Sequence, residues 1–368
     1  MTRSEGFTYT STRSRVVFGV DASRERLAAE VDALGGQRVL VVAGAAEMPL
    51  ARELAEPFAD RVVGWFDDVR QHVPVECAEA ARALARDTSA DLLLSVGGGS
   101  TTGTAKAVAL TDRLPVLAVP TTYAGSEMTN VWGLTEGARK TTGVDDVVAP
   151  RTVVYDPALT VGLPPGLSAA SGLNAMAHCV EALWAPGANP VTTLLAVEAV
   201  AGLTRGLPGV LADGEDLTAR SDVLYGAWLA GTAFATAGSG LHHKTCHVLG
   251  GAFALPHAEM HAVVLPHVLA FQTPALHPAT VDRLSRALQG PGAERPAELL
   301  ADLDDALGIP AGLRDVGLRE EDLPEAATLV ADVVADGAIP NPRPISRADV
   351  DALVRAAWAG RPRRGGPE

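Results

Sequence analysis

Lysine is scarce in this sequence: of 30 basic residues in a chain of 368, Lys106, Lys140 and Lys244 are the lysines and the rest are arginine. Positive charge is outnumbered as well, since 44 acidic residues bring the formal charge to −14. With no arginine-rich stripe against that balance, repulsion from a phosphate backbone excludes a nucleic-acid partner, and an anionic ligand needs a local positive exception. Cysteine is nearly absent. Cys77, Cys179 and Cys246 show no CxxC spacing, and an odd number cannot complete a disulfide framework, so reduced, buried thiols are expected. Aromatic residues are 4% of a chain that is 47% hydrophobic, so small aliphatic side chains must build the core. No run approaches the ~18 apolar residues of a membrane span, and the opening MTRSEGFTYTSTRSR lacks the apolar stretch of a signal peptide. A cytoplasmic protein without a membrane partner is expected.

What the chain does have is alternation. RVVFG (15–19), RVLVVAG (38–44), RVVGWF (61–66), DLLLSVGGG (91–99) and PVLAVPTT (115–122) read as strands, and helical patterns such as ASRERLAAEVDAL and VECAEAARALARD fall between them. Strand and helix at this spacing predict parallel βαβ units, with ligands at the carboxyl ends of the strands. VVAPRTVVYDPAL (147–159) reads as a last strand. After LPPGLS the periodicity turns helical, as in AASGLNAMAHCVEALWA and ARSDVLYGAWLAGTAFATAG. The expectation is an α/β Rossmann-like parallel-sheet domain over 1–162, an all-α domain over 163–360, and a fraying tail RPRRGGPE at 361–368.

In DLLLSVGGGSTTGTAK, Gly97, Gly98 and Gly99 follow an apolar strand and precede a helix starting near Ser100. Glycines admit a phosphate close to backbone N–H groups, and a helix N-terminus adds partial positive charge, so a dinucleotide pyrophosphate is the expected guest. Lys106, one turn in, is either a phosphate partner or a solvated lysine. The next loop, VPTTYAGSEMTN, offers Thr121, Thr122, Ser126 and Thr129 as hydroxyls for phosphate, ribose or amide. At the end of RVLVVAG the chain reads Ala43, Gly44, with no acid to repel a 2′-phosphate, so NADPH is expected to be tolerated as well as NADH.

Five of the nine histidines, His242, His243, His247, His257 and His261, fall in SGLHHKTCHVLGGAFALPHAEMH. His243 and His247 are four apart and share a helix face; so do Asn174 and His178 in SGLNAMAHCVEA. Two such polar pairs on otherwise apolar helices predict one pocket, serving metal, proton transfer or anion binding.

The series GGGS…AK, PTT…E, the polar i,i+4 pair and H…H…PH resembles the iron-containing alcohol dehydrogenase family over nearly the whole chain. The resemblance implies a dehydroquinate synthase-like fold, a homodimer and NADH or NADPH as cofactor. It also puts that family's metal-holding aspartate and three histidines at Asn174, His178, His243 and His257, with His247 beside the nicotinamide. Position 174 departs from the family: a carboxamide replaces the one anionic ligand. The finer wording, including FDDVRQHVPVECA, SGLNAMAHCVEALWA, GLHHKTCHVLGGAFALPHAEMHAVVLPHVLAF and NPRPISRADV, looks like the maleylacetate reductase branch. That implies reduction of the double bond of maleylacetate to 3-oxoadipate, in aromatic-compound degradation, without dependence on a metal. Asn130 and Val144 depart from the branch's wording, where proline and arginine are expected, and bear on substrate range.

The chemistry suits the residues. Hydride added to the double bond pushes charge onto a ketone oxygen, and imidazoles can stabilise that charge and carry a proton. The expected catalytic set is His178, His243, His247 and His257, with Asn174, His242 and Lys244 contacting a small dicarboxylate and protonated histidines helping to attract it. Cofactor contacts are expected at Gly44, Gly97, Gly98, Gly99, Ser100, Lys106, Thr121, Thr122, Ser126 and Thr129, and no metal is expected. His261, His267 and His277 read as structural. The rival readings are a metal-dependent alcohol dehydrogenase acting on a simple carbonyl, a dehydroquinate synthase-like cyclase, and a non-catalytic dinucleotide-binding protein.

Overall fold

In a computed structural model, residues 6–11, 14–137, 139–290 and 295–361 are described, in two compact units, Ser11–Leu163 and Pro164–Glu368, the latter joined by the residues preceding Ser11. In the first unit the strands are β1 (Arg15–Phe18), β2 (Val39–Val42), β3 (Val62–Phe66), β4 (Leu92–Gly97), β5 (Val116–Pro120), the hairpin β6 (Val131–Glu136) and β7 (Arg139–Val144), and β8 (Thr152–Tyr155). Six of them form one parallel sheet in the order β1-β8-β5-β4-β2-β3. β2, β4 and β5 are buried along their whole length, as continuous apolar runs covered on both faces must be. The covering helices are α1 (Ala22–Ala33), α2 (Met48–Ala55), α3 (Val75–Asp87) and α4 (Gly99–Asp112). Val39, Val41, Leu92 and Leu94 pack with Leu27 and Val31 of α1 and Leu54 of α2. The alternate residues Leu40, Val42 and Leu93 pack with Cys77 and Ala81 of α3 and Val108 of α4. The period of two in each strand thus builds both layers.

From β2 the chain continues through α2 to β3 on one side; from the adjacent β4 it continues through α4 to β5 on the other. The carboxyl ends of β2 and β4 therefore flank the switch point at which doubly wound sheets bind ligands. The β6–β7 hairpin was not among the expected elements. Its strands VWGLTE and RKTTGV mix polar and glycine residues, and Gly143 lies under the Trp132 ring, where a Cβ would meet ring atoms at 2.5 Å.

The second unit contains α5 (Pro165–Glu181), α6 (Pro190–Ala212), α7 (Leu217–Ala237), α8 (Leu241–Phe253), α9 (His257–Gln272), α10 (Pro278–Ala287), α11 (Pro296–Ala306), α12 (Leu323–Val334) and α13 (Arg347–Ala359). Thr236 Oγ1 of α7 donates to the Thr10 carbonyl, fastening Thr10 to this unit. Of the tail expected at 361–368, residues 362–368 lie outside the described residues. Arg361 does not fray: its guanidinium donates to Asp305 and to the Ile309 and Pro310 carbonyls. α6 is long and apolar enough, by length and composition, to cross a membrane. Glu198 and Arg205 interrupt it, half of its apolar window is buried inside the protein, and it packs along α5 and α7 as a core helix does.

α6 and α7 meet backbone to backbone at glycines. A Cβ on Gly206 would lie 2.6 Å from the Ala219 carbonyl oxygen and 2.8 Å from the Val223 nitrogen, and neither can swing away as a side chain could. Gly→Ala in a helix ordinarily gains stability through propensity. Here Gly206→Ala is expected to lower unfolding stability by about 1–3 kcal/mol, as overpacking does. A denaturant midpoint equal to or above that of the parent chain would contradict the close approach.

Candidate active site

At the carboxyl end of β4, Gly97 has φ 148°, a conformation that strains other residues, and a Cβ there would lie 2.4 Å from Thr101 Oγ1. A Cβ on Gly98 would come within 3.0 Å of Thr122. α4 begins at Gly99 with no side-chain cap and no acid in its first turn, so its leading N–H groups and dipole suit a phosphate. The Thr121 N–H donates to the Gly97 carbonyl at 3.2 Å, holding the ends of β4 and β5 together. Gly97, Gly98, Gly99, Ser100, Thr121 and Thr122 thus form one cradle, and Gly44 follows the neighbouring β2. These residues fit a dinucleotide's pyrophosphate.

Two expectations are corrected here. Lys106 is not aimed at a phosphate: it is 1% exposed, and its ammonium donates to the Ser126, Thr129 and Val131 carbonyls and to Thr129 Oγ1 at 2.7–3.0 Å. Three N–H donors facing four acceptors are fully committed, so Lys106 braces the 126–131 loop. Burial draws its pKa down to about 7, countered in part by Glu127. Thr129 Oγ1 donates in turn to the Ser126 carbonyl, so this hydroxyl also serves the loop. Secondly, β2 is not without a nearby acid: a Cβ on Gly44 would lie 2.8 Å from Glu47 Oε2. Glu47 comes three residues after Gly44, beyond the position where an acid was sought.

In the helical unit α5 carries Asn174 and His178, α8 carries His242, His243, Lys244 and His247, and α9 carries His257 and His261. The His178 and His243 rings stack at 5.1 Å between centroids and 18° between planes, with Phe234 of α7 beside both at 4.6 and 4.8 Å. His247 lies 6.1 Å from His243 edge to face, and His257 lies 4.3 Å from His261. The expected catalytic imidazoles therefore belong to one cluster, and Asn174, one turn before His178, lies on the same helix. His261, read as structural, is central to the cluster: it is 5.0 Å from His243, and its Nδ1 shares a hydrogen with His242 Nε2 at 3.0 Å. His267 is buried elsewhere on α9, and His277 caps α10 by accepting from the Ala279 N–H.

Sequence reasoning missed Glu181, three residues after His178. This carboxylate has no exposure; it accepts the His242 and His243 N–H groups at 2.6 and 3.3 Å and faces His243 Nδ1 at 2.5 Å. Its spacing from His178 was the available signal, but a glutamate near a helix end ordinarily reads as surface.

Burial holds His178 and His243 far below the usual histidine pKa and draws His242 to about 3, with neighbouring imidazoles adding to the effect. The expectation of protonated histidines attracting an anion is therefore corrected for these three: desolvation keeps them neutral in the free site. Asn174 Oδ1, His178 Nδ1 and His243 Nε2 are buried polar atoms without a hydrogen-bond partner, which marks the place where a polar ligand would be satisfied.

The family's metal-ligand positions here offer a neutral carboxamide and imidazoles with no anion among them, and the His178 and His243 rings present stacked faces rather than nitrogens converging on a point. Among the described residues, the histidine, cysteine and carboxylate atoms that converge within 4.8 Å are those of His242, Cys246 and His261, where two nitrogens already share a hydrogen. The residues at the family's positions do not fit a hard divalent ion.

Lys106→Met should remove the ammonium on which four inward-facing oxygens converge. It is expected to cost roughly 1.5–3 kcal/mol, the range for hydrogen bonds to a charged group, and to loosen the 126–131 loop. Thermal unfolding and proteolysis of that loop check this; an unchanged melting temperature would contradict the bracing role.

Comparisons with known proteins agree with this fold. Residues 13–157 match the iron-containing alcohol dehydrogenase family and residues 168–358 match the C-terminal part of the Fe-containing alcohol dehydrogenase family. The chain is 46% identical over 356 residues to a maleylacetate reductase of Sphingobium indicum, covering 97% of this chain and 98% of that one. Its fold is similar to the crystal structures of maleylacetate reductases from Rhizobium sp. strain MTP-10005 (TM-score 0.90, 41% identity, 97% and 100% covered) and Agrobacterium tumefaciens (TM-score 0.91, 39% identity, 97% and 99% covered). The chain belongs to the iron-containing alcohol dehydrogenase family.

Proposed function

We propose that this protein reduces the carbon–carbon double bond of maleylacetate, yielding 3-oxoadipate, with a reduced nicotinamide dinucleotide and without a metal. The observation that carries the reading is the neutral residue at 174: Asn174 stands where the family has an anion, near His178 and His243, which burial keeps neutral. Maleylacetate is a dianion, and a carboxylate at 174 would repel it. A bound dinucleotide would supply a hydride to the carbon β to the ketone. Negative charge would then move to the ketone oxygen, where an imidazole-held hydrogen stabilises it, and a proton would complete the adjacent carbon.

This chain's residues divide those tasks. His178 Nδ1 and His243 Nε2, both without partners, face the reacting group, and Asn174 adds a polar contact without charge. Lys244, the basic residue other than histidine on α8, is half-buried and is the cation assigned to a substrate carboxylate. His247 and His257 are exposed in this unit and complete the substrate side; His247 keeps its assignment to the nicotinamide. The Gly97–Gly99 cradle would hold the pyrophosphate. Glu47 near Gly44 favours NADH over NADPH, because its carboxylate would accept a ribose hydroxyl and repel a 2′-phosphate. The proposal also includes a homodimer and a cytoplasmic setting, the latter in keeping with three buried, free thiols.

The test is loss of reduced-nicotinamide absorbance when chelator-treated protein meets freshly prepared maleylacetate. Oxidation that survives chelation, is not raised by Fe²⁺ or Zn²⁺ and runs faster with NADH than NADPH is expected. Turnover requiring added metal, and seen with a simple aldehyde instead, would restore the alcohol dehydrogenase.

A further inference from the structure

The reaction consumes one proton, so some group must carry it to the substrate through an atom that faces the site. The two nitrogens of His243 have sharply different surroundings, and one of them meets a carboxylate. Nδ1 faces Glu181 Oε2 at 2.5 Å, and Nε2 is buried without a partner beside the His178 ring. Glu181 itself is fixed from two directions. Its Oε1 accepts the His242 and His243 N–H groups at the start of α8, a helix whose N-cap is Gly240 and which has no side-chain cap of its own. A glycine there leaves the carboxylate room, since a Cβ at 240 would lie 3.3 Å from Oε1. One side chain at the end of α5 thus both caps α8 and grips the histidine in its first turn.

We propose that Glu181 is a positioning residue for the reduction: it commits the Nδ1 hydrogen of His243 to its own carboxylate, so that Nε2 is the nitrogen that takes up the reaction's proton and passes it to the substrate. This rests on the reading of the cluster as the reducing site. A carboxylate accepts hydrogens and donates none when ionised, so the ring must present Nδ1–H to it. The lone pair then lies on Nε2. A proton held there is shared with the substrate oxygen or delivered to carbon, and its departure returns the ring to the same tautomer, with the Nδ1 hydrogen in place throughout. The carboxylate also fixes the plane of the ring, which keeps the His178–His243 stack in register.

The test exploits an isosteric change. In Glu181→Gln the amide oxygen can still accept both backbone N–H groups, but the amide NH₂ now faces Nδ1. Nδ1 must then accept, and the ring's hydrogen moves to Nε2 and cannot be relayed. Expected for Glu181→Gln are a fall in kcat for maleylacetate on the order of 10²-fold, a KM within a few-fold of the parent, and a melting temperature close to the parent's. In protein labelled with ¹⁵N-histidine, the His243 resonances should change from the Nδ1–H to the Nε2–H pattern. Glu181→Asp keeps a carboxylate and should retain the Nδ1–H pattern and recover part of the rate lost in the glutamine variant. The proposal is overturned if the parent protein shows the Nε2–H pattern, if Glu181→Gln changes tautomer without losing kcat, or if both variants lose rate only in step with loss of fold. Failure of the parent protein to reduce maleylacetate, with the tautomer change observed, would remove the substrate reading and leave the positioning of His243 standing.

Discussion

A carboxylate buried without exposure between two helices is the constraint on which the helical unit's site depends. Glu181 costs free energy to desolvate, and it stays there because three hydrogens point at it: two from the first turn of α8 and one from His243. Removing it would leave the start of α8 uncapped and the His243 ring free to turn. The histidines of α8 are therefore placed by a residue of α5, and the relation between the two helices is written in hydrogen bonds rather than in apolar packing alone.

Around that anchor the physics is one of crowded, dehydrated imidazoles. Each ring raises the cost of charging the next, and burial adds to it, so the free site is polar but largely uncharged. That state suits a substrate which brings its own negative charge. Imidazoles already held beside the developing oxyanion need little reorganisation, and in a dry pocket they act in a low dielectric. In a chain whose overall charge is −14, leaving position 174 neutral also removes one more source of repulsion at the place where it would matter most.

Much of the fold was legible. The strands of the parallel sheet were visible as short apolar runs because central parallel strands are buried on both faces, and helices such as α3 showed their period. The β6–β7 hairpin was not, since a ribbon mixing polar and glycine residues carries no such run. At the site, the histidines announced themselves by clustering, and Asn174 by spacing. Glu181 and Glu47 did not: an acidic residue looks like surface until a fold buries it or folds it back over a glycine. Lys106 misled for the same reason, because one lysine near a glycine loop suggests phosphate, while only three-dimensional packing reveals four oxygens already gathered around its ammonium.

On the proposed function, a neutral residue at position 174 makes this a metal-free site for a dianion, and Asn174→Asp restores the family's missing charge. Calorimetric titration with Zn²⁺ or Fe²⁺ and the maleylacetate reduction rate should be measured on the same preparation. The aspartate variant should gain measurable metal affinity that the parent chain lacks, while its kcat/KM for maleylacetate falls on the order of ten-fold, the equivalent of about 1.4 kcal/mol. Tight metal binding by the parent chain, or a reduction rate that rises when the carboxylate and metal are supplied, would contradict it.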